Sequence, residues 1–316
     1  MATPARQAGT TSLQAIGVAP RDPIPDMQHE EPFSDVAPEG VEAPGPLAFD
    51  AREALASRHP HLHVVEVLAV RHWTSSYFSL TTTRPVDLRF DSGQFLMLGM
   101  EVQGRPLLRA YSIASPAWAE QLEFFSIKVA DGALTSRLQH VRPGDPLLLS
   151  RKPTGTLLIS DLHPGRVLYL LATGTGLAPF LAVATELATW ERFAHVVVAH
   201  GVRTEEDLAY RDYLDHELRA HEFLGPLLRD RLHYYPVVSR EPFVHQGRVT
   251  TLFGNGRMAA DLGLPAPDPG SDRVMLCGSP AMLSEGAALL DGLGFVASPR
   301  IGQAGSYVIE RAFVER

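Results

Sequence analysis

Between residues 62 and 150 the apolar positions fall into short runs, rich in β-branched and aromatic residues and bounded by Gly, Pro and Asp. LHVVEVLAV, YFSLTTT, GQFLMLGM, LLRAYSIAS, LEFFSIKV and DPLLLS each predict a strand. About six such runs, mostly joined by short connections, predict an antiparallel barrel or sandwich. Pro143-Gly144-Asp145 predicts the turn between the helical-looking LTSRLQHV and the last of these strands. After about residue 160 the pattern changes. RVLYLLA, HVVVAHG, LHYYPVVS and RVMLCGS remain strand-like, but LAPFLAVATELATWERF, TEEDLAYRDYLDHELRA and SPAMLSEGAALLDGLG between them predict helices. Strand alternating with helix predicts a parallel sheet covered on both faces. The fold class expected is a two-domain β + α/β chain, an antiparallel β-barrel followed by a parallel-sheet α/β domain.

Length agrees with two domains, since 316 residues are about twice an average one. The first fifty residues differ from the rest. They hold eight acids against two bases, and eight of the 25 prolines. Few apolar residues with many prolines and acids predict disorder. The expected organisation is a disordered acidic tail over 1–58, the β-barrel over 59–160 and the α/β domain over 161–316. Neither a signal peptide nor a transit peptide is expected from the N-terminal pattern. Val167 to Thr185 contains no charge, yet Gly174, Gly176, two threonines and Pro179 interrupt it. A buried strand, turn and helix fit that better than a membrane span, so no membrane is expected.

The formal charge of −8 makes nucleic acid an unlikely partner. The lone Cys277 can form neither an intrachain disulfide nor an all-cysteine iron–sulfur cluster, which fits a reducing compartment. His59, His61 and His63 alternate, but Pro60 interrupts them and no carboxylate or cysteine completes a ligand set, so no metal is expected.

The chemistry begins at Thr173-Gly174-Thr175-Gly176, between a strand and a helix. Glycine lets a backbone approach a pyrophosphate, and the following helix presents unpaired N–H groups. Pro179 is tolerable early in that helix. A tight turn with no ligand explains the same letters. At the end of the next strand a dinucleotide fold often places an acid on the ribose hydroxyls. Here Val202-Arg203-Thr204 puts a cation there, and Ser239-Arg240 and Arg248 end later strand-like segments. Cations at those places suit an adenosine 2′-phosphate; solvated surface arginines are the alternative. In the β half, alternation pairs Arg109 with Tyr111 on one face of a strand and sets Ser112 on the other. Arg109 offers a donor fork for phosphate, and Tyr111 a ring for stacking.

RAYSIAS, SIKVADGALTSRL, LLATGTGLAPF, HGVRT, YYPVVSREPF with GRVT, MLCGSPAM and the terminal RAFVER stand in an order that resembles bacterial ferredoxin–NADP reductases. The resemblance covers about residues 60 to 316. It implies that the barrel holds FAD. Arg109 would pair with the pyrophosphate beside Ala110, Tyr111 would stack on the isoalloxazine, and Ser112 would sit near flavin N5 as a catalytic group. Ile127, Lys128 and Val129 would border FAD, and Gly132, Ala133, Leu134, Thr135 and Ser136 would give its pyrophosphate a second helix N-terminus. Thr175 would face FAD from the other domain.

The same resemblance places NADP(H) against Thr173, Gly174, Gly176 and Cys277-Gly278-Ser279-Pro280-Ala281. Val202, Arg203, Ser239, Arg240 and Arg248 would read its adenosine end. Cys277 would be catalytic near the nicotinamide, although a buried core thiol is the commoner fate of a single cysteine. Plant-type relatives end in a tyrosine over the flavin with a glutamate just upstream. Here Ala312 and Phe313 precede three further residues, so the tail would return to FAD with Phe313 at the adenine, or fill a gap between domains. The implied activity passes electrons between NADPH and ferredoxin or flavodoxin through FAD, in a cytoplasmic monomer. A flavin or quinone reductase, or a non-catalytic flavin-binding redox sensor, would use the same two domains.

Overall fold

The computed structural model describes residues 46–310. The acidic segment before them, and Ala312 and Phe313 with their expected FAD contacts, lie outside the described residues.

The first half is a six-stranded antiparallel sheet. Its strands are β1 (Leu62–His72), β2 (Tyr77–Thr83), β3 (Phe95–Val102), β4 (Arg105–Ser112), β5 (Gln121–Ile127) and β6 (Pro146–Ser150), in the order β4-β3-β6-β1-β2-β5. The sheet closes where its outer strands meet. Ile113 bridges Phe124, and the Ala114 N–H donates to the Glu123 carbonyl at 2.8 Å. Closure removes the open edges an antiparallel sheet would otherwise expose. Alternate side chains fill the interior, with Val65, Val67, Phe78, Leu80, Leu98 and Phe124 in one cluster.

A helix, Pro46–Arg58, precedes the barrel. It corrects the expectation of a disordered tail through residue 58. Leu55 is buried against Leu62 and Leu148, Arg52 pairs with Glu66, and Arg58 pairs with Glu101. The proline and acid content of the first fifty residues was carried on through residue 58 and hid a run of good helix formers, AREALASR, at 51–58. His59 also donates into this contact, 2.6 Å from Glu101.

The second half is a five-stranded parallel sheet of β7 (Gly165–Thr173), β8 (Phe193–Val202), β9 (Leu232–Val238), β10 (Arg273–Cys277) and β11 (Tyr307–Ile309). The order is β11-β10-β7-β8-β9. β7, the first of these in sequence, is central, and the chain moves to β8 on one side before returning to β10 on the other. The sheet is buried on both faces. Val196 and Val198 of β8 join one cluster, while Val197 and Ala199 join the other. The short β11 was not anticipated from sequence. The expected single helix after the Thr-Gly-Thr-Gly loop is two, Ala178–Thr185 and Leu187–Arg192, parted at the extended Glu186. No helix among the described residues is long and apolar enough to cross a membrane.

Candidate functional site

In an open parallel sheet, ligands bind beyond the carboxyl ends of the strands where the strand order reverses. Here that point lies between β7 and β10, in register at Ala172 and Cys277. The loops leaving these two strands are Thr173-Gly174-Thr175-Gly176 and Gly278-Ser279. They interlock. A Cβ on Gly176 would lie 2.3 Å from the Cys277 carbonyl oxygen, and one on Gly278 would lie 2.1 Å from Thr173 Oγ1. Thr173 Oγ1 accepts from the Ser279 N–H at 3.0 Å, fixing one loop against the other. Ser279 also caps the helix Pro280–Gly292, its hydroxyl accepting from the Met282 N–H.

A cavity of about 780 Å³ opens over these loops. Thr173, Gly174, Thr175 and Gly176 line it with Gly278, Ser279, Pro280 and Ala281. Val202, Arg203, Ser239, Arg240 and Arg248 form its far end. The predicted nucleotide residues therefore share one cavity, with the exception of Cys277. That side chain is fully buried at the end of β10, facing the core with Ala172 and Met275, and burial pushes its thiol well above the usual range. Its neighbours reach the cavity and it does not.

Three residues of the barrel, Ser76, Tyr77 and Ile127, complete the wall. The cavity is thus built from both halves. Ser76 and Tyr77 carry no motif of their own, and only the alternation that pairs Tyr77 with Ile127 across β2 and β5 could have suggested them.

At the arginine-lined end of the cavity the charges are arranged in order. Arg203 and Arg240 follow β8 and β9, and the Arg240 N–H donates to the Arg203 carbonyl at 2.9 Å. Both side chains are exposed, and neither is ion-paired among the described residues. Arg248 instead pairs with Glu285 at 3.2 Å, and Glu285 also accepts from Thr250 at 2.6 Å. Ser239 donates its hydroxyl to the Val202 carbonyl. Glu285 was missed in the sequence because its partners lie 35 and 37 residues away.

Beneath the loop lies His200, at the carboxyl end of β8 and fully buried. Its Nε2–H donates to the Gly174 carbonyl at 3.1 Å, while Nδ1 is buried without a partner. A proton on Nδ1 would put an unsolvated charge there, so burial holds its pKa down at about 4, against 6.5 for a free histidine. Between those values the unfolded chain binds a proton that the folded one refuses, and stability falls as pH drops. The deficit reaches about 3 kcal/mol at pH 4. We expect His200→Asn to remove that much of the acid destabilisation, read as the difference in urea midpoints between pH 7 and pH 4. A pH dependence unchanged by the substitution would show that His200 is already charged.

The barrel-side residues form a second group. Arg109 is exposed on β4, Ala110 is half-buried, and Tyr111 is buried with its ring edge-on to Phe124. Tyr111 Oη accepts from Ser126 Oγ at 3.3 Å. Ser112, in register with Phe95, is buried, and its Oγ has no partner. Ile127 and Val129 are exposed, while Lys128 Nζ turns back to the Thr74 carbonyl at 2.7 Å. Gly132 to Leu134 form a turn leading into the short helix Thr135–Leu138. Its Gly132 N–H and Thr135 hydroxyl both donate to the Val129 carbonyl, and the Leu134 side chain is buried. Ala133 lies on that turn, exposed, and Ser136 in the helix, half-buried.

Glu310, just beyond β11, was not anticipated. It is buried, its carboxylate accepts from the Thr156 N–H at 3.3 Å, and its charge acts on Cys277. It ties the segment after the barrel to the last strand of the second half.

Two features test whether these residues fit a flavin and a pyridine nucleotide. The orphaned Ser112 hydroxyl is a buried polar group awaiting a partner. The interlocked glycines let the two loops pack backbone to backbone at the ends of their strands, so that both loops line the cavity where such a sheet binds a pyrophosphate. Both fit.

Comparison with known proteins agrees. Residues 62–158 match the family model of the oxidoreductase FAD-binding domain, and residues 170–286 that of the oxidoreductase NAD-binding domain. A ferredoxin–NADP reductase of Pseudomonas aeruginosa is 56% identical over 256 residues, covering 81% of this chain and 99% of that protein. A flavodoxin/ferredoxin–NADP reductase of Rhodobacter capsulatus is 45% identical over 249 residues, covering 78% and 92%. The crystal structure of a ferredoxin–NADP+ reductase from Neisseria gonorrhoeae with bound FAD and NADP superposes with a TM-score of 0.72 at 29% identity, covering 80% of this chain and 99% of that one. With its two domains, its cavity at the switch point and relatives more than half identical along nearly their whole length, this chain belongs to the ferredoxin–NADP reductase family.

Proposed function

We propose that the protein is an FAD-dependent reductase that transfers electrons between NADPH and ferredoxin or flavodoxin. The observation that carries this is the cavity built from both halves, with arginines at one end and barrel residues at the other. A dinucleotide bound along it would have its 2′-phosphate at Arg203, Ser239, Arg240 and Arg248 and its nicotinamide toward Tyr77 and Ile127. When bound, FAD links two-electron oxidation of NADPH to one-electron delivery.

The chain's own part is placement. Arg109, exposed on β4, would hold the FAD pyrophosphate, with Thr135 and Ser136 donating from the start of their helix. Tyr111 and Ser112 would bracket the flavin from the barrel, and Thr175 from the second domain. Gly174 and Gly176, with Gly278 to Ala281, would shape the nicotinamide end and exclude water there. Cys277 would act from beneath, as a neutral buried thiol supporting that surface. We place the protein in the cytoplasm as a monomer that meets its partner transiently.

Stopped-flow reduction by NADPH, followed by turnover with ferredoxin, flavodoxin and free flavin, tests the reading. Reoxidation by the protein carriers should be much faster than by free flavin. The reverse order would favour a flavin reductase. For Ser112 we expect that Ser112→Ala slows single-turnover flavin reduction about tenfold or more, with little change in NADPH affinity. Its melting temperature should hold or rise, because the hydroxyl it loses has no partner in the folded chain. An unchanged single-turnover rate would remove Ser112 from the site.

A further inference from the structure

Tyr210 stands in a conformation that a bulky residue avoids. Its φ is +61° and its side chain is buried, 3% exposed. Left-handed backbone favours Gly or Asn, so a tyrosine persists there only where its surroundings hold it. Those surroundings belong to the barrel. The hydroxyl donates to Glu123 Oε1 at 2.6 Å. The ring lies 4.2 Å from that of Trp73 and meets Phe125 edge-on at 5.1 Å. The grip is itself braced. Trp73 Nε1 donates to Ser79 Oγ at 3.1 Å, and the Arg71 guanidinium lies 3.6 Å over the Trp73 ring. Immediately after Tyr210, Tyr213–Glu217 form a π-helical turn, a local irregularity common at functional positions.

The grip leads to the cavity. Glu123, Phe125 and Ile127 alternate along β5 and so share a face. Ser79 and Tyr77 of β2 stand opposite Phe125 and Ile127 on that face. The Tyr77 ring is 5.4 Å from Phe125, and its hydroxyl lies 3.1 Å from where a Cβ on Gly174 would be. One face of two strands therefore runs from Tyr210 to the barrel wall of the nucleotide cavity.

We propose that Tyr210 is a positioning residue, a latch from the second domain that fixes the β2–β5 wall against the Thr-Gly-Thr-Gly loop and so sets the nicotinamide end of the cavity. The proposal rests on the nucleotide reading given above. It predicts a division of effect along the ligand. The adenosine end is made by the second domain alone, whereas the nicotinamide end needs both halves in register.

The test uses FAD-loaded protein and two ligands, NADP+ and adenosine 2′,5′-bisphosphate, titrated calorimetrically. Tyr210→Phe removes the hydroxyl alone, and Tyr210→Asn removes the ring while tolerating the left-handed backbone. We expect NADP+ affinity to fall about threefold to tenfold in Tyr210→Phe and tenfold or more in Tyr210→Asn. Adenosine 2′,5′-bisphosphate affinity should stay within about twofold, since none of its expected contacts is disturbed. Equal losses for both ligands would show a residue that merely holds the fold, overturning the latch. Unchanged affinity for both, with the native protein binding both, overturns the latch and leaves the nucleotide reading intact. A native protein that binds neither ligand defeats the nucleotide reading, and the latch with it.

Discussion

Arg203→Ala or Arg240→Ala lowers kcat/KM for NADPH about ten- to a hundredfold and leaves that for NADH nearly unchanged. Each guanidinium stands exposed beyond the end of a parallel strand, on the rim of the cavity, and neither is ion-paired among the described residues. An arginine so placed is available to an anion without first giving up a carboxylate. A charge-assisted hydrogen bond contributes about 1.5–3 kcal/mol, which is about one to two decades in affinity. NADH carries no 2′-phosphate and therefore loses nothing. Arg248 provides the contrast. Its guanidinium already meets Glu285 at 3.2 Å, so part of what it would gain from a phosphate is offset by the lost pair, and Arg248→Ala should cost less. Steady-state kinetics with both nucleotides measure this directly. Equal losses with NADPH and NADH would show that the arginines support the fold rather than read the phosphate.

Much of this site was legible because it is local. The Thr-Gly-Thr-Gly turn, Gly278-Ser279-Pro280 and the arginines after β8 and β9 each sit at the end of an apolar run, and the end of a parallel strand is where such a sheet binds its ligands. Period marked these positions, and the resemblance, not the period, implied a nucleotide there. What was illegible depends on residues far apart in sequence. Tyr77 reaches the loop from the other domain, 97 residues before Gly174. Glu123 and Tyr210 are 87 residues apart, and TEEDLAYRDYLDHELRA reads as one continuous helix although Tyr210 breaks it with a left-handed backbone. His200 was hidden for another reason. Within VVVAHG it looks like any strand residue, and its role appears only when Gly174 folds over it. Composition misled at Pro46–Arg58, where a helix docks through Leu55 at the end of a segment whose average resembles a tail.

The second large effect follows from the interlock of the two loops. We expect Gly176→Ala to weaken NADP+ binding at least about tenfold and to lower the melting temperature by several degrees, while FAD content is retained. A methyl on Gly176 would sit 2.3 Å from the Cys277 carbonyl oxygen, 2.5 Å from its carbon and 2.8 Å from the Gly278 Cα. All three are backbone atoms at the end of a strand paired with β7 and β11, so no rotamer change relieves the overlap. One loop must move, and separation would pull Ser279 from Thr173 and open the floor of the cavity. Overpacking of this kind costs about 1–3 kcal/mol. At roughly 2–4 °C per kcal/mol for a domain of this size the loss is measurable. Gly292→Ala is the control, because nothing lies within 4 Å of the Cβ it would add. It should leave both binding and melting close to native. The FAD residues expected on β4 and at Gly132 to Ser136 belong to the barrel rather than to either loop, which is why flavin should remain. If Gly176→Ala binds NADP+ as the native protein does, the loops are not the floor of the nucleotide site, and the dinucleotide must lie elsewhere in the cavity.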